Sequence, residues 1–283
     1  MRQESINKAK QLVSDLKIIY TDVDGTMVGP GGSIFRAADG SLTMEAANII
    51  VKAITSGIDI VPVSGRNQDQ LRENVRVLGL QNFIAELGAE IIYNQGERII
   101  HTAEEIETHG KTVYETIKDR SITQKLLQHF SGRLEYHTPW SDERRFHSHL
   151  FRGFVNVNEV NSFLAANGSP DLKLVDNGRI GRRGDMPLEE VHAYHLLPTS
   201  VSKAKAVQRD QIERNIKIEQ TIAIGDSWAD LPLAEEVGAF FLVANGVKED
   251  PTLADGIKAY DNAFVTENEK TLGWSEAVSL FLK

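Results

Sequence analysis

The chain has 283 residues, of which 41% are hydrophobic and 25% are charged, as is typical of a globular protein with one or two packed cores. Its formal net charge of −9 argues against a nucleic-acid partner, because an acidic protein does not broadly neutralise a phosphate backbone. The absence of cysteine excludes disulfides, thiolate metal sites and a cysteine nucleophile. The first residues are polar and no run of about 18 apolar residues occurs, so we expect a cytoplasmic protein without a membrane partner.

Three short segments rich in β-branched residues predict buried strands, and each ends in a polar cluster. They are 17–21 (KIIYT), 58–63 (IDIVPV) and 221–224 (TIAI). Apolar residues at helical spacing over 43–56 separate the first two, which predicts a parallel sheet with a crossover helix. The same alternation returns near the C-terminus, where we expect helices over 203–215 and 229–237 and a strand over 239–243.

The middle of the chain breaks this alternation. We expect two helices and three strands there, over 122–130, 133–137, 149–155, 158–166 and 172–175. Such a run inserted into a doubly wound fold is typical of a second α+β domain that covers a site. The sequence therefore predicts the α/β class, with a doubly wound parallel-sheet (Rossmann-like) core over 1–86 and 192–283 and an inserted α+β cap domain over 87–191.

Two carboxylates follow the first predicted strand in the motif Asp22-Val23-Asp24-Gly25-Thr26. Phosphoryl transfer needs one carboxylate that accepts the phosphoryl group and a neighbour that protonates the leaving oxygen and then deprotonates water. Gly25 permits close approach of the backbone to an anion. Taken alone, however, the motif also fits a solvated turn with two acidic residues.

Two further carboxylates, Asp226 and Asp230, follow the strand at 221–224. Ligands bind beyond the carboxyl ends of parallel strands, so all four carboxylates are expected at one edge of the sheet. A hard divalent cation with oxygen ligands would relieve their repulsion, which points to Mg²⁺. The alternative is that Asp226 and Asp230 begin a helix and interact favourably with its dipole.

Donors suited to a phosphate come from two other places. Ser64-Gly65-Arg66 follows the second strand and offers a hydroxyl and backbone N–H groups, and Lys203 opens a predicted helix after Ser202. The alternatives are that Ser64 is a helix N-cap and that Lys203 is a solvated surface residue.

The order of these motifs along the chain resembles the haloacid dehalogenase-like hydrolases, in particular the Cof-like and sugar-phosphatase branch with an α/β cap between the second and third motifs. The resemblance covers about 17–90 and 195–245. It implies that Asp22 is the nucleophile and a metal ligand, that Asp24 is the general acid/base and meets the metal through its carbonyl, and that Asp226 is a ligand supported by Asp230. Ser64 and Lys203 would hold the phosphoryl group. On the substrate side it implies Gly25, Thr26, Gly65, Arg66 and His195.

Three positions depart from that branch. Leu87 stands where Asn is frequent, Ala204 stands where Gly often follows the lysine, and Ala229 stands where Asn often precedes the last aspartate. None of them removes a charged catalytic position. We therefore expect the residues around the catalytic groups and those that face the substrate to differ in detail from this branch of the family.

The resemblance implies a Mg²⁺-dependent phosphatase that hydrolyses a small phosphorylated metabolite through an aspartyl-phosphate intermediate. The sugar-phosphatase branch implies a sugar phosphate, and 191–196, which resembles the stretch before the lysine in mannosyl-3-phosphoglycerate phosphatases, points to a glycosyl or sugar-acid phosphate. The alternative for this stretch is that Tyr194 and His195 belong to a strand that returns to the core. A phosphomutase with the same carboxylates and a non-catalytic metal- or phosphate-binding module remain as alternatives. We expect a small-molecule partner and a monomer or homodimer.

The cap offers further polar residues whose roles the sequence leaves open. His147 and His149 alternate on a predicted strand and could form a second metal site with His137, although exposed strand histidines are the alternative. The glycine-rich loop 29–41 could be a flap or a surface hairpin. Arginines that could bind an acidic substrate or form a solvated face are Arg144, Arg145, Arg152, Arg179, Arg182 and Arg183.

Overall fold

The computed structural model describes residues 1–141, 143–181 and 186–282. Two arginines named above, Arg182 and Arg183, lie outside these ranges. Within them, each helix is too short or too polar to cross a lipid bilayer.

A five-stranded parallel sheet forms the core of the molecule. Its order is β12-β11-β10-β1-β2, so both ends of the chain contribute strands to it. The predicted α/β class with a doubly wound parallel sheet is confirmed. The strands are β1 (Ile18–Thr21), β2 (Asp59–Pro62), β10 (Thr221–Gly225), β11 (Ala239–Leu242) and β12 (Ala263–Val265).

Both faces of this sheet are buried. In β1, Ile19 packs in a hydrophobic cluster on one face, whereas Ile18 and Tyr20 pack in a second cluster on the other face. The core helices are α1 (Gln3–Leu12), α2 (Glu45–Thr55), α3 (Gln68–Leu78), α7 (Lys203–Arg214), α8 (Ala244–Glu249), α9 (Leu253–Gly256) and α10 (Lys270–Ser279).

The expected helix over 229–237 is a short 3-10 helix, Leu231–Glu235, with a proline near its start. Pro232 lacks a backbone N–H, and Gly238 follows the segment, so a longer α-helix is not favoured there.

A three-stranded antiparallel sheet, which the sequence analysis did not predict, follows α3. It comprises β3 (Phe83–Ala85), β4 (Glu90–Tyr93) and β5 (Arg98–His101), and a bridge from Val63 to Ile84 joins it to the edge of the core sheet. Ile91 and Tyr93 pack in one core cluster and Ile92 in the other. This hairpin therefore extends the core.

A separate four-stranded antiparallel sheet carries the inserted segment. Its order is β6-β7-β9-β8, and helices α4, α5 and α6 belong to the same part of the chain. The two helices and three strands predicted for this segment are confirmed within a few residues, and one further helix, α4, and one further strand, β9, are present. Their bounds are α4 (Val113–Asp119), α5 (Ile122–His129), β6 (Leu134–Tyr136), β7 (His149–Gly153), α6 (Val157–Ala166), β8 (Leu172–Arg179) and β9 (His192–Pro198).

The limits of the inserted domain were expected at 87 and 191. Because β4 and β5 pack on the core, while β9 pairs with β7 and β8, we propose that the cap comprises about 102–198. Its hydrophobic cluster also reaches Leu87 at the outgoing crossing and Val201 at the returning one. Both crossings therefore lie beside the start of α7.

The two crossings touch at Gly88, whose backbone has φ +105°. A Cβ at this position would lie 2.3 Å from the Ser202 carbonyl oxygen. We expect Gly88→Ala to lower the free energy of unfolding by about 3 kcal/mol or more, because it adds a steric clash to an unfavourable φ.

The matched control is Gly57→Ala, where φ is +71° and an added Cβ has no neighbour within 4 Å. This change should cost only about 1 to 2 kcal/mol. Urea unfolding at pH 7 measures both, and equal losses would mean that the crossings are not tightly packed.

Candidate active site

Asp22 follows β1 directly and lies at the carboxyl edge of the core sheet. It is 5% exposed, and its backbone N–H donates to the Ile224 carbonyl on the neighbouring strand β10 (2.9 Å). The parallel pairing of β1 with β10 brings Asp22 to the same edge as Asp226 and Asp230. The predicted meeting of these carboxylates at one edge is therefore observed.

Lys203 reaches this edge from the first turn of α7. The Ser202 hydroxyl caps the helix by accepting from the Lys205 N–H (3.2 Å), which directs the lysine inward. Its ammonium donates to Asp22 Oδ1 at 2.6 Å and to Asp230 Oδ1 at 2.7 Å. Burial alone would lower the pKa of Lys203, but the two carboxylates outweigh it and raise this pKa. The lysine is a buried cation, not a solvated surface residue.

Asp230 is saturated with hydrogen bonds. Besides the ion pair of Oδ1, its Oδ2 accepts from the Ser227 hydroxyl (2.7 Å) and from the backbone N–H groups of Ser227 (3.1 Å) and Asp226 (3.2 Å). The carboxylate thus closes the loop after β10 and holds the lysine at the same time.

Asp226 lies against the loop that carries the first motif. Thr26 donates from its hydroxyl to Asp226 Oδ1 (3.3 Å), and Asn245 donates from Nδ2 to the Gly25 carbonyl (2.9 Å) and to Asp226 Oδ2 (3.4 Å). A Cβ on Gly25 would lie 2.1 Å from Asp226 Oδ2, so this close approach requires glycine.

Three carboxylates, from Asp22, Asp226 and Asp230, offer oxygens that lie within 4.8 Å of one another. Burial raises the pKa of Asp22 to about 7, with a further contribution from Asp230, while Lys203 opposes both. Burial and the charges of Asp22 and Asp230 raise the pKa of Asp226 well above its usual range. Buried oxygens with such mutual repulsion fit a hard divalent cation such as Mg²⁺.

Asp24 does not join this group of three. Its carboxylate accepts two hydrogen bonds from the Arg66 guanidinium, at 2.7 Å from Nε and at 2.6 Å from Nη2. Arg66 also donates from Nη1 to Asn74 Oδ1 (2.6 Å). Burial would lower the pKa of Arg66, but the Asp24 carboxylate raises it. The acid of the first motif and the arginine of the second therefore form a bidentate pair.

Ser64 is not a helix N-cap, because α3 begins at Gln68 and is capped by the side chain of Asn67. The Ser64 hydroxyl is buried and accepts from the Arg66 backbone N–H (3.3 Å). The next residue, Gly65, is packed from the cap: Arg145 donates to its carbonyl (3.1 Å), and a Cβ on it would lie 2.6 Å from His195 Nε2.

His195 lies on β9 and is buried against the second motif. Burial, together with the charges of Arg145 and Lys203, lowers its pKa well below the usual range. The ring is therefore neutral, and its Nδ1 lies 3.3 Å from the Ser148 hydroxyl.

A cavity of about 1060 Å³ lies between the core sheet and the cap. Its lining includes Asp24, Ser64, Arg66, His195 and Asp226, so these five predicted residues border one cavity.

A family model described as haloacid dehalogenase-like hydrolase matches residues 19–168 and 189–263. The chain belongs to this family. The predicted resemblance, including its Cof-like branch, is confirmed, as is the prediction of an enzyme that hydrolyses phosphoric monoesters.

Two curated relatives align along most of this haloacid dehalogenase-like hydrolase. Phosphoglycolate phosphatase 1 of Saccharolobus solfataricus is 23% identical over 269 residues, covering 95% of this chain and 96% of the relative. Phosphatase YwpJ of Bacillus subtilis is 21% identical over 280 residues, covering 86% and 94%.

Solved structures share the fold. The sucrose-phosphatase from Synechocystis, in complex with sucrose and phosphate, superposes with a TM-score of 0.65 at 17% identity and covers 94% of this chain and 98% of its own. A haloacid dehalogenase-like hydrolase from B. subtilis has a TM-score of 0.61 at 19% identity, covering 94% and 100%. The predicted core with an inserted cap is confirmed.

One departure from the family now has a structural explanation. Leu87 adopts φ +58°, a left-handed conformation that Asn accepts readily and leucine does not. It is 2% exposed and packs in the hydrophobic cluster of the cap. Apolar burial therefore offsets the backbone cost at this crossing.

The sequence analysis missed two residues that shape the hydrolase site, Asn245 and Ser227. Asn245 follows β11 at the same sheet edge as the aspartates, and its Oδ1 also accepts from the Lys270 N–H (2.8 Å). A polar residue two positions after a predicted strand was the signal for Asn245. Of the two expectations for Arg145, the solvated face is wrong, because Arg145 is buried. Its contact with the Gly65 carbonyl could not be predicted, because the two residues are distant in sequence.

The proposed histidine trio of the cap is not observed among the described residues. His137, His147 and His149 are all buried, so exposed strand histidines are also the wrong description. His149 stacks on Tyr114 (3.8 Å between ring centroids) and donates from Nε2 to the Tyr114 carbonyl (3.0 Å). His147 instead lies beside Glu90 and His101.

His149 should make stability depend on pH. Burial lowers its pKa to about 4, whereas an unfolded histidine titrates near 6.5. The unfolded chain thus binds a proton that the folded chain does not as pH falls from about 6.5 to about 4. The free energy of unfolding should lose about 2 kcal/mol from this residue between pH 7 and pH 4.5.

Urea unfolding at both pH values should show a smaller acid-induced loss for His149→Gln, which can still donate to the Tyr114 carbonyl. The control is His109→Gln, since the side chain of His109 is 77% exposed. An identical pH dependence in His149→Gln and the parent chain would contradict the buried neutral imidazole.

Proposed function

We propose that this hydrolase is a Mg²⁺-dependent phosphatase whose nucleophile is Asp22. The observation that carries the proposal is the buried ammonium of Lys203, which holds Asp22 at 2.6 Å and Asp230 at 2.7 Å. It leaves Asp22 Oδ2 as the carboxylate oxygen that this ammonium does not bind. A buried carboxylate held in one orientation beside a cation suits attack on a phosphorus atom.

In the first step, an Asp22 oxygen forms a bond to phosphorus and the ester oxygen leaves. Asp24 gives its proton to that oxygen, so the alcohol departs neutral. In the second step, Asp24 takes a proton from water, whose oxygen attacks phosphorus and releases inorganic phosphate. The Asp22 carboxylate is then restored.

Arg66 sets the starting state of this acid/base. Its two hydrogen bonds occupy both carboxylate oxygens of Asp24, so the pair has to loosen before either oxygen can meet the leaving group. Arg66 also lines the cavity, where a phosphate oxygen offers it another acceptor. We propose that substrate draws Arg66 towards the phosphate and frees Asp24.

Asp22, Asp226 and the Asp24 backbone carbonyl are the groups that we propose to hold Mg²⁺. The cation, when bound, neutralises their charge and that of the phosphoryl oxygens. Asp230 is the fourth predicted metal residue, but its oxygens already accept four hydrogen bonds. We propose that it acts by positioning Lys203 and the loop before it.

The remaining predicted residues receive distinct roles. We propose that the Ser64 hydroxyl, Lys203 and the backbone N–H groups of Gly25 and Gly65 bind the phosphoryl oxygens. Thr26 orients Asp226 through its hydroxyl. His195, neutral and buried behind Gly65, supports the second motif.

The cavity supports a sugar phosphate or a glycosyl or sugar-acid phosphate as substrate. Its volume of about 1060 Å³ greatly exceeds what a two-carbon acid needs. The cap side of the lining includes Asp176 and Glu190, which also contact His192, and the aromatic residues Trp140 and Phe154. Carboxylates and aromatic rings suit the hydroxyls and the apolar face of a sugar. Arg179 adds a donor for an acidic group on the substrate.

We further propose that the working partner is a small phosphate ester without nucleic acid, that the location is cytoplasmic and that the protein is a monomer or homodimer. The acidic net charge supports the first of these.

Asp22→Asn should reduce phosphate release at least about a thousandfold, because the amide oxygen is a poor nucleophile. Release is measured with and without Mg²⁺ from sugar phosphates, glycosyl phosphoglycerates, phosphoglycolate and p-nitrophenyl phosphate. Activity should vanish with chelator and return with Mg²⁺.

Two results would overturn this account. Substantial turnover by Asp22→Asn would exclude the covalent mechanism, and activity indifferent to chelation would exclude the metal. A phosphomutase would release little phosphate from any ester but would move the phosphoryl group between two hydroxyls of a sugar monophosphate, with a sugar bisphosphate as activator.

Asp24→Asn should separate the two proton transfers. With p-nitrophenyl phosphate, whose leaving group needs no proton, we expect a rapid release of one nitrophenol per enzyme followed by turnover slowed by about 10² to 10⁴. With a sugar phosphate even the first release should be slow. A variant that turns over both esters at the parental rate would remove Asp24 from the mechanism.

A further inference from the structure

A second group of potential metal ligands lies where the β4–β5 hairpin meets the cap. Glu90 on β4 is paired in register with His101 on β5, so both side chains project from the same face of the hairpin. His147, from the cap segment just before β7, lies against them. These three residues form the hairpin cluster.

The ligand atoms of the hairpin cluster form a nearly regular triangle. Glu90 Oε1 lies 3.5 Å from His101 Nδ1 and 3.5 Å from His147 Nε2, and the two nitrogens are 3.1 Å apart. An ion with bonds of 2.0–2.1 Å in tetrahedral geometry separates its ligands by about 3.3–3.4 Å. A Zn²⁺ ion about 0.7 Å above this triangle would therefore reach all three atoms with little movement.

The hairpin cluster is not an ordinary group of polar side chains on the surface, because two of its three residues are buried. Glu90 is 1% exposed and His147 is 5% exposed. Within the described residues, Glu90 Oε2 and His147 Nδ1 are buried without a hydrogen-bond partner. A carboxylate buried in this way is costly unless a cation compensates it. The side chain of His101 is 57% exposed, which leaves an open side for water as a fourth ligand.

We propose that Glu90, His101 and His147 bind a Zn²⁺ ion that fastens the cap to the core hairpin. Two imidazole nitrogens and one carboxylate suit a borderline transition metal, whereas Mg²⁺ prefers oxygen ligands. The site is separate from the aspartates at the sheet edge and does not depend on the proposed phosphatase mechanism.

The position of His147 determines which parts of the molecule the ion would join. Glu86 lies just before β4, and its buried carboxylate accepts hydrogen bonds from the backbone N–H groups of Phe146 and Ser148, at 2.8 Å each. Two residues before His147, Arg145 donates to the Gly65 carbonyl in the second catalytic motif. A metal bond at His147 therefore adds a third tie between this cap segment and the core.

The test measures Zn²⁺ binding to the full chain after chelator treatment, by competition with a chromophoric zinc indicator. Excess Mg²⁺ is present throughout so that the sheet-edge aspartates are occupied. We expect one equivalent of Zn²⁺ to bind and to raise the melting temperature, because the ion binds only the folded chain.

His101→Gln removes one ligand at a largely exposed position and should fold normally. It should weaken Zn²⁺ binding by about tenfold or more, since even the loss of a residue that hydrogen-bonds a metal ligand has an effect of this size. His109→Gln is the matched control, because His109 is an exposed histidine with a carboxylate, Glu107, at 3.7 Å, outside the hairpin cluster. It should bind like the parent chain.

Co²⁺ provides a second measurement. Bound by two imidazoles and a carboxylate in tetrahedral geometry, it should give an intense visible absorption that His101→Gln loses and His109→Gln keeps. No Zn²⁺ binding beyond the Mg²⁺-saturated sites, or equal binding by the parent chain and His101→Gln, would overturn the proposal and leave a hydrogen-bonded histidine pair.

Discussion

The ammonium of Lys203 lies between the carboxylates of Asp22 and Asp230, and the arrangement of the site depends on it. All three side chains are almost wholly buried, so none of the charges is compensated by water. Removing one partner from such a group typically costs about 3–5 kcal/mol, because a charge is then left buried alone. Asp22 directly follows β1, Lys203 begins α7, and Asp230 lies in the loop after β10. This interaction therefore joins the first and last thirds of the chain.

A third carboxylate lies beside this ion pair. Thr26 and Asn245 keep Asp226 close to the Gly25 backbone, and burial together with the charges of Asp22 and Asp230 raises the pKa of Asp226. One lysine does not neutralise three buried carboxylates. The stored repulsion makes the sheet edge receptive to a divalent cation and, through it, to a phosphate dianion.

Much of this arrangement could be predicted because strand ends and chemistry coincide. Asp22, Ser64 and Asp226 each follow a short apolar strand, and parallel strands bring their carboxyl ends to one edge. The direction of individual side chains could not be predicted in the same way. Arg66 was expected to bind a phosphate, but its guanidinium donates to the Asp24 carboxylate. This partner depends on how the loops that carry Arg66 and Asp24 approach each other.

The hairpin β4–β5 escaped prediction for a related reason. Its strands are short, and their partners follow from register, so Glu90 and His101 become neighbours only when the hairpin is folded. Their contact with His147 further requires the cap to be docked. Contacts of this kind join segments that carry no common pattern in the sequence.

The cap segment 143–149 links the cap to the second motif of the core. Arg145 fixes the carbonyl of Gly65, Glu86 receives the N–H groups of the same segment, and His195 on β9 packs against Gly65 from the cap side. A shift of the cap would therefore displace the motif that carries Ser64 and Arg66. Because Arg66 in turn holds Asp24, the position of the cap is coupled through two successive contacts to the residue that we propose as acid/base. The docked cap and the orientation of the Asp24 carboxylate are therefore parts of one packed unit.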